Sequence, residues 1–167
     1  QAGGTLTAGA GGTVKFIGIA PEIGGAAINN LFFDTTATNA TATAPFFATN
    51  NLTLATGASL DVTALPAGTY TLSATESLFH SGTIKGSVIT VSGSKIYAGA
   101  DGTYATGIIT GNLALNSGST VNLDINNSAS AANDTLVVNG SLTLNSNTFN
   151  LKAPTALASI DSANDYT

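Results

Sequence analysis

Apolar and polar residues alternate with period two in short bursts along this chain. Leu52 and Leu54 flank Thr53, Leu60 and Val62 flank Asp61, and Leu113 and Leu115 flank Ala114. Val121, Leu123 and Ile125 alternate with Asn122 and Asp124, and the rhythm returns at Leu142–Leu144 and Phe149–Leu151. Successive side chains of a strand point to opposite faces, so each burst predicts a short strand with one buried face. Between the bursts lie turns: Thr56-Gly57-Ala58-Ser59, Asn116-Ser117-Gly118-Ser119 and Asn139-Gly140. Helix signals are scarce, because Glu, Lys, Gln and Arg are nearly missing and Gly, Thr, Asn and Ser interrupt almost every window.

The strand–turn–strand unit recurs. Leu52 through Val62 aligns without gaps on Leu113 through Leu123, with Gly57 on Gly118 and with Leu60 and Val62 on Val121 and Leu123. Leu6 through Phe16 fits the same frame, with Ala8 in place of the second leucine, and Leu142 to Leu151 is a copy one residue shorter. A second echo links Ala67-Gly68-Thr69-Tyr70-Thr71-Leu72 to Ala163-Asn164-Asp165-Tyr166-Thr167 and places those last residues in a strand. One unit has a single apolar row and cannot bury it alone. Coiling the chain so that strands stack one turn apart buries every row in a continuous core, with insertions looping outward. Asn at the turns would stack into amide ladders. The expectation is therefore an all-β chain, a β-solenoid of the parallel β-helix type, with residues 1–167 as one segment. An antiparallel β-sandwich is the alternative, since short strands at about 8–12 residue spacing and an Asn139-Gly140 hairpin suit it too.

Two stretches read as outward loops. Residues 20–45 contain Pro21-Glu22-Ile23-Gly24-Gly25 and then a Thr/Ala/Asn tract from Thr35 to Ala44 with almost no large apolar residue. Phe32-Phe33 and Phe46-Phe47 are expected to pack on each other or plug the core. Residues 126–134 include a Ser/Ala/Asn tract of the same character.

Composition narrows the function classes. Ala, Thr, Gly, Asn and Ser supply 103 of the 167 residues, and only 8% are charged, against about 25% in ordinary domains. Four lysines, no arginine and a net charge of −5 cannot neutralise a phosphate backbone, which excludes nucleic acid as a partner. The absence of Cys removes disulfides and thiolate chemistry, and suits a chain that crosses an oxidising compartment unfolded. No run of 18 apolar residues predicts a transmembrane helix. The chain starts at Gln1, which reads as a processed or excised piece.

The run Gly111-Asn112-Leu113-Ala114-Leu115-Asn116-Ser117-Gly118-Ser119-Thr120-Val121-Asn122-Leu123-Asp124-Ile125 resembles the repeats of bacterial autotransporter passenger domains. Asn133-Asp134-Thr135-Leu136-Val137-Val138-Asn139-Gly140-Ser141-Leu142-Thr143-Leu144 and Ala67-Gly68-Thr69-Tyr70-Thr71-Leu72 are similar to further elements of that family. The resemblance covers about residues 50–72 and 111–151. It implies a right-handed parallel β-helix, extracellular on a Gram-negative cell surface, adhesive or acting as a stalk. It also implies an outer-membrane barrel elsewhere in the precursor.

No catalytic constellation is visible, and no catalytic, cofactor-binding or metal residue is assigned. His80 is the single histidine, with Glu76 four residues before it, in a stretch that reads as a loop or helical turn. One His and one Glu make neither a triad nor a zinc site, so His80 is expected to face solvent. The acids Glu22, Asp34, Asp61, Asp101, Asp124, Asp134, Asp161 and Asp165 are scattered, where a glycosidase or lyase needs two converging on one groove. Asp in turns serves mainly to cap backbone amides. Gly9-Ala10-Gly11-Gly12-Thr13 lacks the ending of a phosphate loop. Asn39, Asn51, Asn126, Asn133 and Asn139 open Asn-x-Ser/Thr triplets, which arise by chance in such a composition. Tyr70, Phe79, Tyr97 and Tyr104 would form either an exposed aromatic patch or buried stacks. The functional expectation is a non-enzymatic surface adhesin without cofactor, binding another copy or a host glycan or protein. The alternative is a filament subunit polymerising by strand pairing, and an enzyme is a distant third.

Overall fold

The computed structural model describes residues 11–25, 27–126 and 132–152. In chain order the strands are β1 (Thr13–Phe16), β2 (Glu22–Ile23), β3 (Ala27–Phe33), β4 (Ala40–Ala42), β5 (Phe47–Leu54) and β6 (Ser59–Asp61). A short 3-10 turn at Pro66–Gly68 leads into β7 (Thr69–Thr71), β8 (Ser77–His80), β9 (Thr83–Lys85), β10 (Ser87–Ile89) and β11 (Lys95–Tyr97). Then come β12 (Thr106–Ile109), β13 (Leu113–Leu115), β14 (Thr120–Asp124), β15 (Thr135–Val138), β16 (Leu142–Leu144) and β17 (Thr148–Lys152).

These strands form three sheets. The first runs β1-β3-β5-β8-β11-β14-β17, the second β15-β12-β9-β6-β4-β2 and the third β16-β13-β10-β7. From β5 onward the chain visits first, second and third sheet in turn, and every strand pairing is parallel. This is the stacking of a parallel β-helix. It excludes the antiparallel sandwich, because each strand's partner lies one winding away in the chain.

The core is a set of ladders. On the first sheet Val14, Leu31, Leu52, Leu78, Ile96, Val121 and Phe149 lie in register at steps of 17, 21, 26, 18, 25 and 28 residues. On the second, Ala40, Leu60, Ile84, Ile109 and Val138 stack, and on the third, Tyr70, Val88, Leu113 and Leu142. Each fully buried Leu, Ile or Val in such a row stabilises the fold by about 1.5–3 kcal/mol.

Residues 20–45 are not an outward loop. They build two narrow coils, with Ile23, Ile28, Leu31, Phe33, Ala37, Ala40 and Ala42 all buried. Pro21, Gly24-Gly25 and Pro45 lie outside the strands, between them, and do not interrupt pairing. These coils have strands only in the first two sheets, so their cross-section is small and alanine fills it: Ala40-Thr41-Ala42 alternates inward and outward with Ala as its apolar half. Phe33 stacks on Phe16 and Phe46 on Tyr70, each with centroids 4.8 Å apart, while Phe47 is half exposed.

The repeat frame is only partly structural. Leu113–Leu123 and Leu142–Leu151 do stack, third sheet on third and first on first. Leu52–Val62 instead turns from the first sheet to the second, so its equivalence with Leu113–Leu123 is one corner out of phase. Both corners use glycine at positive φ, +85° at Gly57 and +78° at Gly118, a conformation open to glycine without penalty. In the loop expected at 126–134, Asn126 N–H donates to Asn133 Oδ1 at 2.6 Å. Residues 127–131, the Leu6–Ala8 strand and the Ala163–Thr167 echo lie outside the described residues.

Candidate functional site

Three groups of chemistry-bearing side chains stand out. The first is inside the tube. Glu76 precedes β8, and in extended chain a spacing of four puts it on the same face as Leu78 and His80. All three point inward and are buried. His80 therefore does not face solvent. It continues the row below Leu54, and its ring occupies space left by Gly107, where any Cβ would overlap it.

Tyr70 O–H donates to Glu76 Oε1 at 2.6 Å, and Ser73 N–H donates to Oε2 at 2.9 Å. Burial raises the Glu76 carboxyl to about 7 in spite of these bonds, which pull the other way. Burial, reinforced by the nearby Glu76, pushes the Tyr70 phenol up as well. His80 Nε2 lies 3.0 Å from the Ile108 carbonyl, which can only accept, so Nε2 carries the proton. Nδ1 is buried without a partner. Burial lowers the imidazole to about 4, and the Ile108 bond opposes this. The Tyr70, Glu76 and His80 side chains are all buried in the core.

The second group lines a cavity of about 140 Å³ bounded by Tyr97, Asp101, Asn122, Asp124, Asp134 and Lys152. Here the fold gathers acids that the sequence leaves scattered. Gly102 N–H donates to Asp124 Oδ2 at 2.7 Å, Ala105 N–H to Asp134 Oδ1 at 2.8 Å and Asp124 N–H to Asp134 Oδ2 at 2.7 Å. Both oxygens of Asp134 are thus engaged by backbone amides, and burial raises its carboxyl. Lys152 Nζ reaches Asp101 at 2.5 Å, and that bond raises the ammonium. The cleft fastens two loops to the stack. Among the described residues no group of three or more His, Cys, Asp or Glu is placed to hold a metal ion. Asp34 and Asp61 behave as turn caps, accepting from Thr36 and Thr63 amides at 3.3 and 2.9 Å. Asp34 is also bonded by the Lys15 ammonium, which brings its carboxyl down to about 2. Asp161 and Asp165 lie outside the described residues.

The third group is the outer surface. Of the Asn pairs expected at the turns, Asn145 donates to Asn116 at 3.2 Å; two further pairs lie within strands instead, Asn50 donating to Asn30 at 2.9 Å and Asn150 to Asn122 at 3.1 Å. Phe79 stacks on Tyr97 with centroids 4.7 Å apart, half-buried on the outer face of the first sheet. Tyr70 is interior, so the four aromatics do not make one patch.

Comparison with known protein families, with curated proteins and with solved structures returned no match. Among the described residues no helix is long and apolar enough to cross a membrane.

Proposed function

We propose that this chain is a segment of a secreted bacterial surface protein of the autotransporter passenger type, a structural and adhesive rod with no reaction of its own. The observation that carries the reading is the three-sheet parallel stack, filled inside mainly by Leu, Ile, Val and Ala and lined outside by Thr, Asn and Ser. Six steps of the first sheet at about 4.8 Å each give a rod about 30 Å long. Such a surface offers hydroxyls and amides to a host glycan or protein, or to another copy. Among the described residues Tyr70, Glu76 and His80 are interior, and both oxygens of Asp134 are held by backbone amides. An outer-membrane barrel elsewhere in the precursor belongs to the same proposal.

Antibodies to the chain, applied to intact producing cells, test location: surface labelling removed by brief protease treatment is expected, and label found only after permeabilisation overturns it. Beads coated with the chain test adhesion. Clumping, or attachment to host cells, is expected, and inert beads reject it.

A second reading is a filament subunit. Leu142, Leu144, Phe149 and Leu151 are about half exposed on the last described coil, and among the described residues β15, β16 and β17 end their sheets. Negative-stain images at rising concentration separate the two: discrete rods favour the passenger segment, and filaments with a regular axial rise favour the subunit.

A further inference from the structure

The outer face of the first sheet carries a ladder of its own. Lys15, Phe32, Thr53, Phe79, Tyr97 and Asn122 lie in register on β1, β3, β5, β8, β11 and β14, and none of the six is buried. Phe79 and Tyr97 stack with centroids 4.7 Å apart and planes inclined by 13°. That separation is the spacing of neighbouring strands. Both rings therefore lie across the rod axis, and the free face of Phe79 looks towards Thr53. Lys15 Nζ lies over the Phe32 ring, 5.6 Å from its centroid, and occupies the face on the β1 side. The other face of Phe32 looks towards Thr53 as well. The two phenyl rings stand two strand steps apart, about 9.6 Å, and the Thr53 side chain is too short to fill the space. Thr53 is thus the floor of a slot walled by two aromatic faces.

The dimensions select the guest. A flat ring touching both walls needs them about 7–8 Å apart, twice the usual carbon–carbon contact distance, and this slot is wider. A pyranose chair is thicker, because its axial C–H groups stand out on both sides. Those weakly positive C–H groups suit the electron-rich face of an aromatic ring. A sugar whose hydroxyls are equatorial offers C–H groups to both walls and its hydroxyls to the rim. Asn51 and Ser77 form that rim: they precede Thr53 and Phe79 by two residues on the same outer face and are partly exposed. Neither side chain bonds to another described residue, so a carboxamide and a hydroxyl are open to sugar hydroxyls. Lys15 and Asp34, at the border beside Phe32, are paired with each other.

We propose that Phe32, Thr53 and Phe79 form a carbohydrate site that grips one pyranose ring with equatorial hydroxyls by both of its faces. The proposal deepens the adhesive reading, and rests on it for the site's biological use: this slot is where the rod would hold a glycan. The site itself is tested on the purified chain.

The test titrates cellotetraose into the full 167-residue chain and follows amide shifts by NMR. Expected is saturable binding with millimolar affinity, with the largest shifts at Phe32, Thr53 and Phe79. Thr53→Phe fills the slot and joins its walls into one aromatic stack. An aromatic residue suits an outer strand position, so this variant should keep the fold and bind at least tenfold more weakly. Phe79→Leu keeps an apolar side chain but removes one wall; it should also weaken binding, and it decides the matter if Thr53→Phe does not fold. A β-linked mannotetraose, which differs by one axial hydroxyl on each ring, should bind at least tenfold more weakly than cellotetraose. The proposal is overturned if cellotetraose does not bind at millimolar concentration, if the shifts cluster away from Thr53, if folded Thr53→Phe binds as well as the parent, or if mannotetraose binds equally. Coated beads that clump or attach while cellotetraose fails to bind would reject this slot and leave the adhesive rod standing. Sugar binding at Thr53 by a chain that antibodies find only inside cells would keep the slot and reject the surface reading.

Discussion

Glu76 and His80 sit in the same core and titrate in opposite senses. The Glu76 carboxyl moves from 4.5 to about 7 on folding. The folded state then holds a proton that the unfolded chain gives up, so this stabilisation is complete below pH 4.5 and is lost as pH rises to 7. The His80 imidazole moves from 6.5 to about 4. Its stabilisation is complete above pH 6.5 and is lost as pH falls towards 4. Each is worth on the order of 3 kcal/mol over its full range, and between pH 4.5 and 6.5 the two slopes cancel. Urea midpoints measured from pH 4 to pH 8 reveal this through the single variants. Glu76→Gln should leave a midpoint that climbs from pH 4 to 6.5 and then stays level. His80→Leu should leave one that declines from pH 4.5 to 7. Variants that keep the wild-type profile would show that burial of these groups does not govern the pH response.

At the level of strands and turns, glycine at positive φ is needed at both repeat corners, but for different amounts. At Gly57 a Cβ meets nothing closer than the Thr35 carbonyl at 3.5 Å, so Gly57→Ala isolates the backbone cost, about 1–2 kcal/mol. At Gly118 a Cβ also overlaps the Ser92 side chain, so Gly118→Ala should cost more, and the excess should shrink in a Ser92→Gly background. Thermal unfolding of the four variants measures it. Such corners also explain what was legible in the sequence. Alternation with large apolar residues located β5, β6, β13, β14, β16 and β17, because Leu and Val announce which face is buried. It missed β4, whose inward residues are Ala40 and Ala42, and β3, where a register shift between Ile28 and Asn30 breaks the alternation. It could not say which corner a strand–Gly turn–strand unit occupies, because the backbone of one corner serves another. That is why Leu52–Val62 matches Leu113–Leu123 in sequence and not in space. His80 was misplaced for a related reason: the vacancy that accepts its ring is made by Gly107, 27 residues away. The signal was present in Leu78-Phe79-His80, whose alternation continues the Leu52-Thr53-Leu54 row.

At the scale of the whole molecule, each pairing joins one coil only to the next. Stability is then a sum over coils and their interfaces, and opening starts where an interface is missing. Leu78 lies between Leu52 and Ile96 in the middle of its ladder, fully buried. Leu78→Ala should cost about 2–5 kcal/mol, through lost burial and the cavity left behind. Leu144 lies at the last described coil with 53% of its surface exposed, and Leu144→Ala should cost less than about 1 kcal/mol. The same logic orders amide exchange. Bonds between β5, β8 and β11 are flanked by coils on both sides and should exchange slowest. The third sheet breaks the simple gradient. Since β7 has no strand beneath it among the described residues, its open side should exchange faster than β5 and β8, its neighbours in height on the first sheet. A profile that decays smoothly from the centre, with Thr71 as protected as Leu52, would mean that something already covers that edge. Protection uniform over every strand would mean that the coils unfold as one unit, and that a ladder of separable interfaces is the wrong description of this tube.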